Sequence, residues 1–182
     1  ALTNAELLIF LDSDDLLTPD FLATVLPWMQ QNSDIGVLYC NFTTFTQNTE
    51  DADKLSRCPF NFLEGAHRDG VFARDIPNLY VRDLDYQPFF TCGMTVRRSF
   101  IEQHGGYLTS LRGVGAEDWE FTLRAICQTK VALCIAPLAK VRKHGGNDSA
   151  SNLHMRMGEV SILRLSLQCH DKAQSHRLKV EA

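Results

Sequence analysis

Three polar clusters in this sequence carry residue types that do chemistry. The first is Asp12-Ser13-Asp14-Asp15, which follows directly on the apolar run Leu7–Leu11. Carboxylates this close repel one another and raise one another's pKa. A bound divalent ion relieves that repulsion, and carboxylate oxygens are the hard ligands suited to Mg²⁺ or Mn²⁺. The plain alternative is a solvated turn, since turns favour Asp. The second cluster is GVGAEDWE, Gly113–Glu120, where Glu117 and Asp118 open a predicted helix. Acids are stabilised at a helix N-terminus, so capping alone accounts for them. A carboxylate facing a cleft would instead take a proton from an incoming nucleophile. The third is KHGGNDSAS, Lys143–Ser151. His144 reads there as a metal ligand or as an exposed side chain. The Gly-Gly pair and the hydroxyls suit a phosphate wrapped by backbone N–H groups.

These residues need elements to hold them. Glu6–Leu11 reads as a short buried strand that delivers the aspartates. Period-2 alternation puts Asp12 and Asp14 on the same side, at the carboxyl end of the strand, where open α/β sheets bind ligands. A helix starts with Thr18 as N-cap, Pro19 at the first helical position and Asp20 in the first turn. It carries Phe21, Leu22, Val25, Leu26 and Met29 at helical spacing, and Pro27 should kink it or end its first half. Gly36–Phe42 is a second buried strand, so the first 42 residues read as a βαβ unit with parallel pairing as the default. Residues 43–70 lose periodicity and read as a surface excursion. Further on come a short helix over Asp75–Asp83, a strand over Phe89–Arg97 and a helix over Ser99–His104 that Gly105-Gly106 ends. An amphipathic helix follows over Glu117–Cys127, then a strand over Val131–Ala136 closed by Pro137, and another short strand over Ala139–Lys143. A final helix spans Leu153–Cys169, with Leu153, Met157, Val160, Leu163 and Leu167 on one face.

Composition narrows the classes. The 182 residues suffice for one domain with a core. A net charge of −4 gives no basic footprint for nucleic acid. No apolar run approaches the ~20 residues of a membrane span, and no signal peptide is visible. The six cysteines form no C-x-x-C pair, which argues against zinc and against a disulfide framework. Buried reduced thiols, and hence a reducing compartment, are the expectation. Ala1 has no Met before it, as expected of a piece of something longer.

In order and spacing, these blocks resemble a family-2 glycosyltransferase domain of the GT-A fold. LLIFLDSDDLLTPDFL resembles its strand and D-x-D motif. FFTCGMTVRRSFIEQHGGY resembles its acceptor-side segment, ending in Gly-Gly-aromatic. GVGAEDWEFTLR resembles its Glu-Asp motif with the following Trp and Arg, and VRKHGGNDSAS its downstream loop of His and Ser. Together they cover most of residues 5–152.

The resemblance implies an α/β fold, an incomplete GT-A (Rossmann-like) mixed sheet flanked by helices. It implies a single domain over 1–182, with the D-x-D unit in 1–42, a variable excursion in 43–90, the acceptor and catalytic segment in 91–152, and a helix and tail in 153–182. The implied reaction moves a sugar, with inversion, from a nucleoside-diphosphate sugar to a hydroxyl of a glycan or lipid-linked glycan. Asp12 would lie near the donor's ribose and diphosphate. Asp14 would bind Mn²⁺ or Mg²⁺, with His144 completing the metal site. Asp15 is a further acidic position on the donor side. Arg142, with Ser149 and Ser151, would approach the diphosphate. Asp118 would be the catalytic base, with Glu117 beside it on the acceptor side. Trp119 reads as a core anchor.

A full domain of this family would have roughly ninety residues before the D-x-D strand, about half a domain on the usual scale. Only Ala1–Ala5 stands there. The base-binding half would then be missing, and Leu7–Leu11 would lie at an open sheet edge. The alternative function is an inactive transferase that only binds partners, a second copy of the chain among them. The expected compartment is the cytoplasm, including the cytoplasmic face of a membrane. Two rivals fit less well. Haloacid-dehalogenase-like phosphatases also begin with an apolar strand and D-x-D, with Asp12 as nucleophile and Asp14 as acid/base. They want Thr or Val where Leu16 stands, and their later acidic pair follows a strand. A calcium loop fails because Leu16 occupies a ligand position and no Gly follows at the sixth.

Overall fold

A computed structural model describes residues 4–111, 116–144 and 156–164. In chain order the elements are β1 (Leu7–Ile9), β2 (Leu16–Leu17), α1 (Phe21–Gln31), β3 (Ile35–Phe45), β4 (His67–Asp69), β5 (Phe72–Arg74), α2 (Leu79–Asp85), β6 (Thr95–Arg97), α3 (Arg98–His104), α4 (Glu117–Gln128) and β7 (Lys130–Arg142). A further helix covers 156–164. The seven strands form one mixed sheet in the order β1-β6-β3-β7-β5-β4, with β2 added on β7.

β3 and β7 are the spine. They pair in parallel from Ile35↔Lys130 to Phe45↔Arg142. Their side chains alternate between two buried faces. Val37, Tyr39, Val131 and Leu133 enter one cluster with Phe100 of α3 and Phe121 of α4. Leu38, Cys40, Ala132 and Cys134 enter another with Phe21, Val25 and Met29 of α1. A sheet covered on both faces reads as near-continuous apolar sequence, as it does here.

The expected direct parallel pair of the first βαβ unit does not form. β6 lies between β1 and β3 and pairs antiparallel with both: Leu8 and Val37 both face Val96. β1 and β3 therefore run in the same direction without touching as a ladder. β1 is the end strand of the described sheet, as the expected open edge requires.

Arg97 explains why this corner holds. Its guanidinium donates to the backbone carbonyls of Met29 at 2.6 Å, Asn32 at 3.2 Å and Ile35 at 2.9 Å, and to the Glu6 carboxylate at 2.8 Å. Two of those carbonyls belong to the C-terminal end of α1, whose last C=O groups lack intrahelical partners. One buried side chain thus ties β6 to the end of α1, the start of β3 and the residue before β1.

Several expectations need correction. Thr18 is not the cap of α1. Asp20 holds that position, without a side-chain bond. The Thr18 backbone instead donates to the Leu138 carbonyl, extending the β2–β7 pairing. Pro27 does not end α1, which runs on to Gln31. The lost hydrogen bond is offset by burial of Phe21, Val25, Trp28 and Met29. The strand expected over Phe89–Arg97 shrinks to β6 because Gly93 turns the chain at φ 78°. A Cβ there would meet the Ala139 Cβ and the Phe21 ring at 3.2 Å. Pro137 does not close a strand. β7 passes through it by register shifts opposite Asn41. The Asn41 side chain fills the irregularity, donating to the Ile135 carbonyl at 2.8 Å and to Asp53 at 2.7 Å.

The 43–70 excursion is also more structured than its composition suggests. It extends β3 to Phe45, buries Phe62 and leads into the β4–β5 hairpin that joins the sheet on β7. The last described helix does not bury the predicted face. Met157, Val160 and Leu163 are exposed, while Ile162 is buried against Trp119 and Leu123. Leu153 and Leu167 lie outside the described residues. Among the described residues no two cysteines form a disulfide, and Cys40, Cys92 and Cys134 are buried. Among the described residues no helix is long and apolar enough to cross a membrane.

Candidate active site

Chain direction brings the polar clusters to one end of the sheet. β1, β3 and β7 run in the same direction, so the D-x-D turn, the Thr46–Asn48 turn and Lys143–His144 all follow carboxyl ends. α4 leads through Thr129 into the start of β7. Its own N-terminus, with Glu117 and Asp118, must therefore lie towards the end where β7 finishes. β2 adds a local clamp: Leu16 pairs with Lys140 and Leu17 with Ala139, which holds the acidic turn against the end of β7.

The acidic segment is a turn, not a continued strand. β1 ends at Ile9, and the Asp15 N–H donates to the Asp12 carbonyl at 3.2 Å. Period-2 alternation therefore does not govern these side chains, and each has a different setting. Asp14 is partly exposed and accepts a hydrogen bond from His144 Nε2 at 2.8 Å. That bond is the main cause holding its carboxyl below the usual range, with a smaller attraction from Arg142. Asp15 turns inward. It is buried and accepts the Arg142 backbone N–H at 2.9 Å. Burial raises its pKa, while that N–H and the Cys92 thiol oppose the rise. The Arg142 side chain donates to the Asp14 carbonyl at 3.0 Å and lies over the Phe45 ring, 4.6 Å from its centroid. Asp14, Asp15, Arg142 and His144 thus form one knot.

Asp12 links this knot to α4. Desolvation is the largest cause raising its pKa, followed by the charges of Asp15, Asp14 and Glu117. Asp12 is an exposed residue and keeps much of its water. The like charges are therefore the more informative cause, since they put the turn and α4 within electrostatic reach. Glu117 is exposed and Asp118 half-buried. Asp118 Oδ1 accepts the Trp119 backbone N–H at 2.8 Å. Desolvation, then repulsion from Glu117 and Asp12, pushes its pKa up to about 6. A half-buried carboxylate in that range can take a proton near neutral pH.

Around α4 stand further residues, most of them without an assigned role in the sequence reading. The Tyr107 hydroxyl shares a hydrogen bond with Thr91 at 2.9 Å. Burial raises it to about 12, with Asp118, Asp12 and Glu117 contributing. Arg124 grips Glu120 through two nitrogens and donates to the carbonyls of His104, Gly105 and Gly106. This fixes the Gly-Gly-Tyr segment against α4. Asp83 of α2 is fully buried and accepts the Trp119 indole N–H at 3.0 Å. Trp119 itself is buried in a core cluster, as an anchor should be. Gly-Gly-Tyr and the Arg of EDWEFTLR were visible in the motifs. Nothing in the sequence around Asp83 set it apart from a surface acid.

The residues present fit a divalent cation in part. Among the described residues no group of three or more His, Cys, Asp or Glu side chains could hold one. Asp14 and His144 offer a pair of donor atoms 2.8 Å apart. Neighbouring octahedral ligands ~2.1 Å from an ion lie about 3 Å from each other, so this spacing suits two adjoining positions. Beside them a cavity of ≈ 350 Å³ is lined by Thr46, Gln47, Asn48, Arg142, Lys143 and His144. Ser149 and Ser151 lie outside the described residues.

A family model described as glycosyltransferase-like family 2 matches residues 2–147. The chain belongs to that family. Its sheet is the GT-A type of the family, mixed and flanked by helices. The crystal structure of S. aureus TarS 1-349 is similar in fold, with a TM-score of 0.51 at 14% identity. The likeness covers 78% of this chain and 37% of that one, so the chain spans little more than a third of the structure it resembles. No curated protein matches it. Family membership removes the phosphatase reading of the D-x-D strand.

Proposed function

We propose that this domain moves a sugar from a nucleoside diphosphate to an acceptor hydroxyl, with inversion at the anomeric carbon. The observation that carries this reading is the convergence of two acidic groups at the carboxyl end of one sheet. One is held by β7, the other by α4. Asp14 and His144 would hold Mn²⁺ or Mg²⁺, with diphosphate oxygens or water completing the coordination. When bound, the ion would neutralise charge on the departing diphosphate. Asp12 lies on the donor side. Arg142 brings positive charge to the same side, and Asp15 holds the end of β7 in register for both. Asp118 accepts the proton of the attacking hydroxyl, and Glu117 lies beside it on the acceptor side. The attacking oxygen forms its bond to the anomeric carbon as the bond to the diphosphate breaks.

The test uses the chain as it stands. Thermal unfolding is followed with Mn²⁺ alone and with Mn²⁺ plus UDP-sugars. A metal-dependent rise that Asp14→Ala removes supports the donor site. Equal shifts in both proteins would sink it. Asp118→Asn should retain any donor-linked shift while losing transfer to acceptor sugars. Undiminished transfer by that variant would rule out its role as base.

A further inference from the structure

Asp83 is a buried acid with an unusual setting. It is fully inaccessible, and among the described residues its Oδ1 has no hydrogen-bond partner. Its Oδ2 accepts the indole N–H of Trp119 at 3.0 Å. The backbone N–H of the same Trp119 donates to Asp118 Oδ1 at 2.8 Å. One residue therefore holds two carboxyls, one by its side chain and one by its main chain. α2 brings Asp83 and α4 brings the other two, and the sequence separation of 36 residues between Asp83 and Trp119 hides the connection. Asp83 is fully buried and Asp118 half-buried, and two carboxyls held by one residue repel when both ionise, so the more deeply buried one keeps its proton more strongly.

We infer that Asp83 is a positioning residue for Asp118: it anchors the Trp119 indole and thereby fixes the first turn of α4 and the carboxylate that this turn presents. The inference rests on the reading of Asp118 as base. The charge pattern agrees with the geometry. Burial pushes Asp83 up to about 8, the Trp119 bond opposes it, and Asp118 adds repulsion. Asp83 is then the neutral member at neutral pH, and Asp118, at about 6, the ionised one. Tyr39 of β3 also faces this pair. Its hydroxyl bonds Thr122 at 2.8 Å, and burial drives its pKa well above the ordinary value, so it stays neutral throughout.

Only Trp28 and Trp119 are present, which makes ¹⁵N-tryptophan labelling of the whole chain a direct probe. The Trp119 indole signal reports Asp83 and its amide reports Asp118. Trp119→Phe assigns both by their loss. In the wild type the amide should shift with a midpoint of about 6. The indole should shift near 8, and the amide should show a second, smaller step there. Asp83→Asn should keep the indole bonded, abolish both alkaline steps and leave the acid step in place. Asp83→Leu should free the indole and move or flatten the acid step of the amide. An indole blind to pH, an alkaline amide step that survives in Asp83→Asn, or an unchanged acid step in Asp83→Leu would each overturn the inference. If Asp83→Leu does not fold, the wild type and Asp83→Asn decide alone. Neither signal depends on turnover. A chain without the coupling loses this inference only, whereas full transfer by Asp118→Asn removes the base reading and the positioning role with it.

Discussion

As the proposed base, Asp118 must be ionised to accept a proton, yet it sits where ionisation is harder than in water. With its pKa raised to about 6, the active form is lost as pH falls through that value. Transfer should therefore drop about tenfold per pH unit below ~6, and Asp118→Asn should cost roughly 10²–10⁴-fold in rate at neutral pH. A pH–rate profile on the donor and acceptor pair checks both. Asp83 makes a prediction of opposite kind, about stability. Its folded pKa of about 8 lies above its ordinary 3.8, so the folded state holds a proton that the unfolded chain releases between those values. Stability falls across that window as pH rises, by up to ~1.4 kcal/mol per pH unit. Asp83→Asn should remove this slope, as urea unfolding at about pH 5 and about pH 8 would show. Equal slopes in the two proteins would contradict it. The motifs announced Asp14, Asp118 and His144, whose neighbours in sequence are distinctive. Asp83 gave no such sign, because its role comes from a partner on another helix.

At the scale of elements, Arg97 and Gly93 carry the site's framework. Arg97 satisfies carbonyls at the end of α1 and the start of β3 from a nearly buried position. Arg97→Ala should cost about 3 kcal/mol, because it leaves buried acceptors without donors. Arg97→Lys should not restore it, since an ammonium cannot reproduce the planar fork. Denaturant unfolding of the two variants measures this, and a loss under ~1 kcal/mol would show the network to be dispensable. Sequence periodicity located α3 and α4 to within a residue, because their apolar spacing is set by local geometry. It failed at β4 and β5. Three-residue strands with half their side chains exposed carry too little pattern to stand out.

At the scale of the whole molecule, stability is concentrated in β3 and β7 and the proposed site lies at their carboxyl ends. The paired residues Val37–Cys40 and Val131–Cys134 are buried on both faces. Their amides should exchange with solvent most slowly, and those of the D-x-D turn and Lys143–His144 much faster. Hydrogen-exchange mass spectrometry reads this directly. Slow exchange in the turn without metal would mean that the donor end is rigid before any ligand arrives. Mn²⁺ should slow exchange there and in β2, because β2 joins the acidic turn to β7.

The sequence by itself determined the residue types, their order along the chain and the amphipathic helices, which together led to the glycosyltransferase family. Those features depend on neighbours a few positions apart. The tertiary structure decided that β6 separates β1 from β3 and that β7 runs through Pro137 against Asn41. It also decided that Asp15 faces inward while Asp14 meets His144, and that Trp119 joins Asp118 to Asp83. Each of those depends on long-range pairing, where burial and hydrogen-bond satisfaction between distant segments select one arrangement among many that local sequence permits.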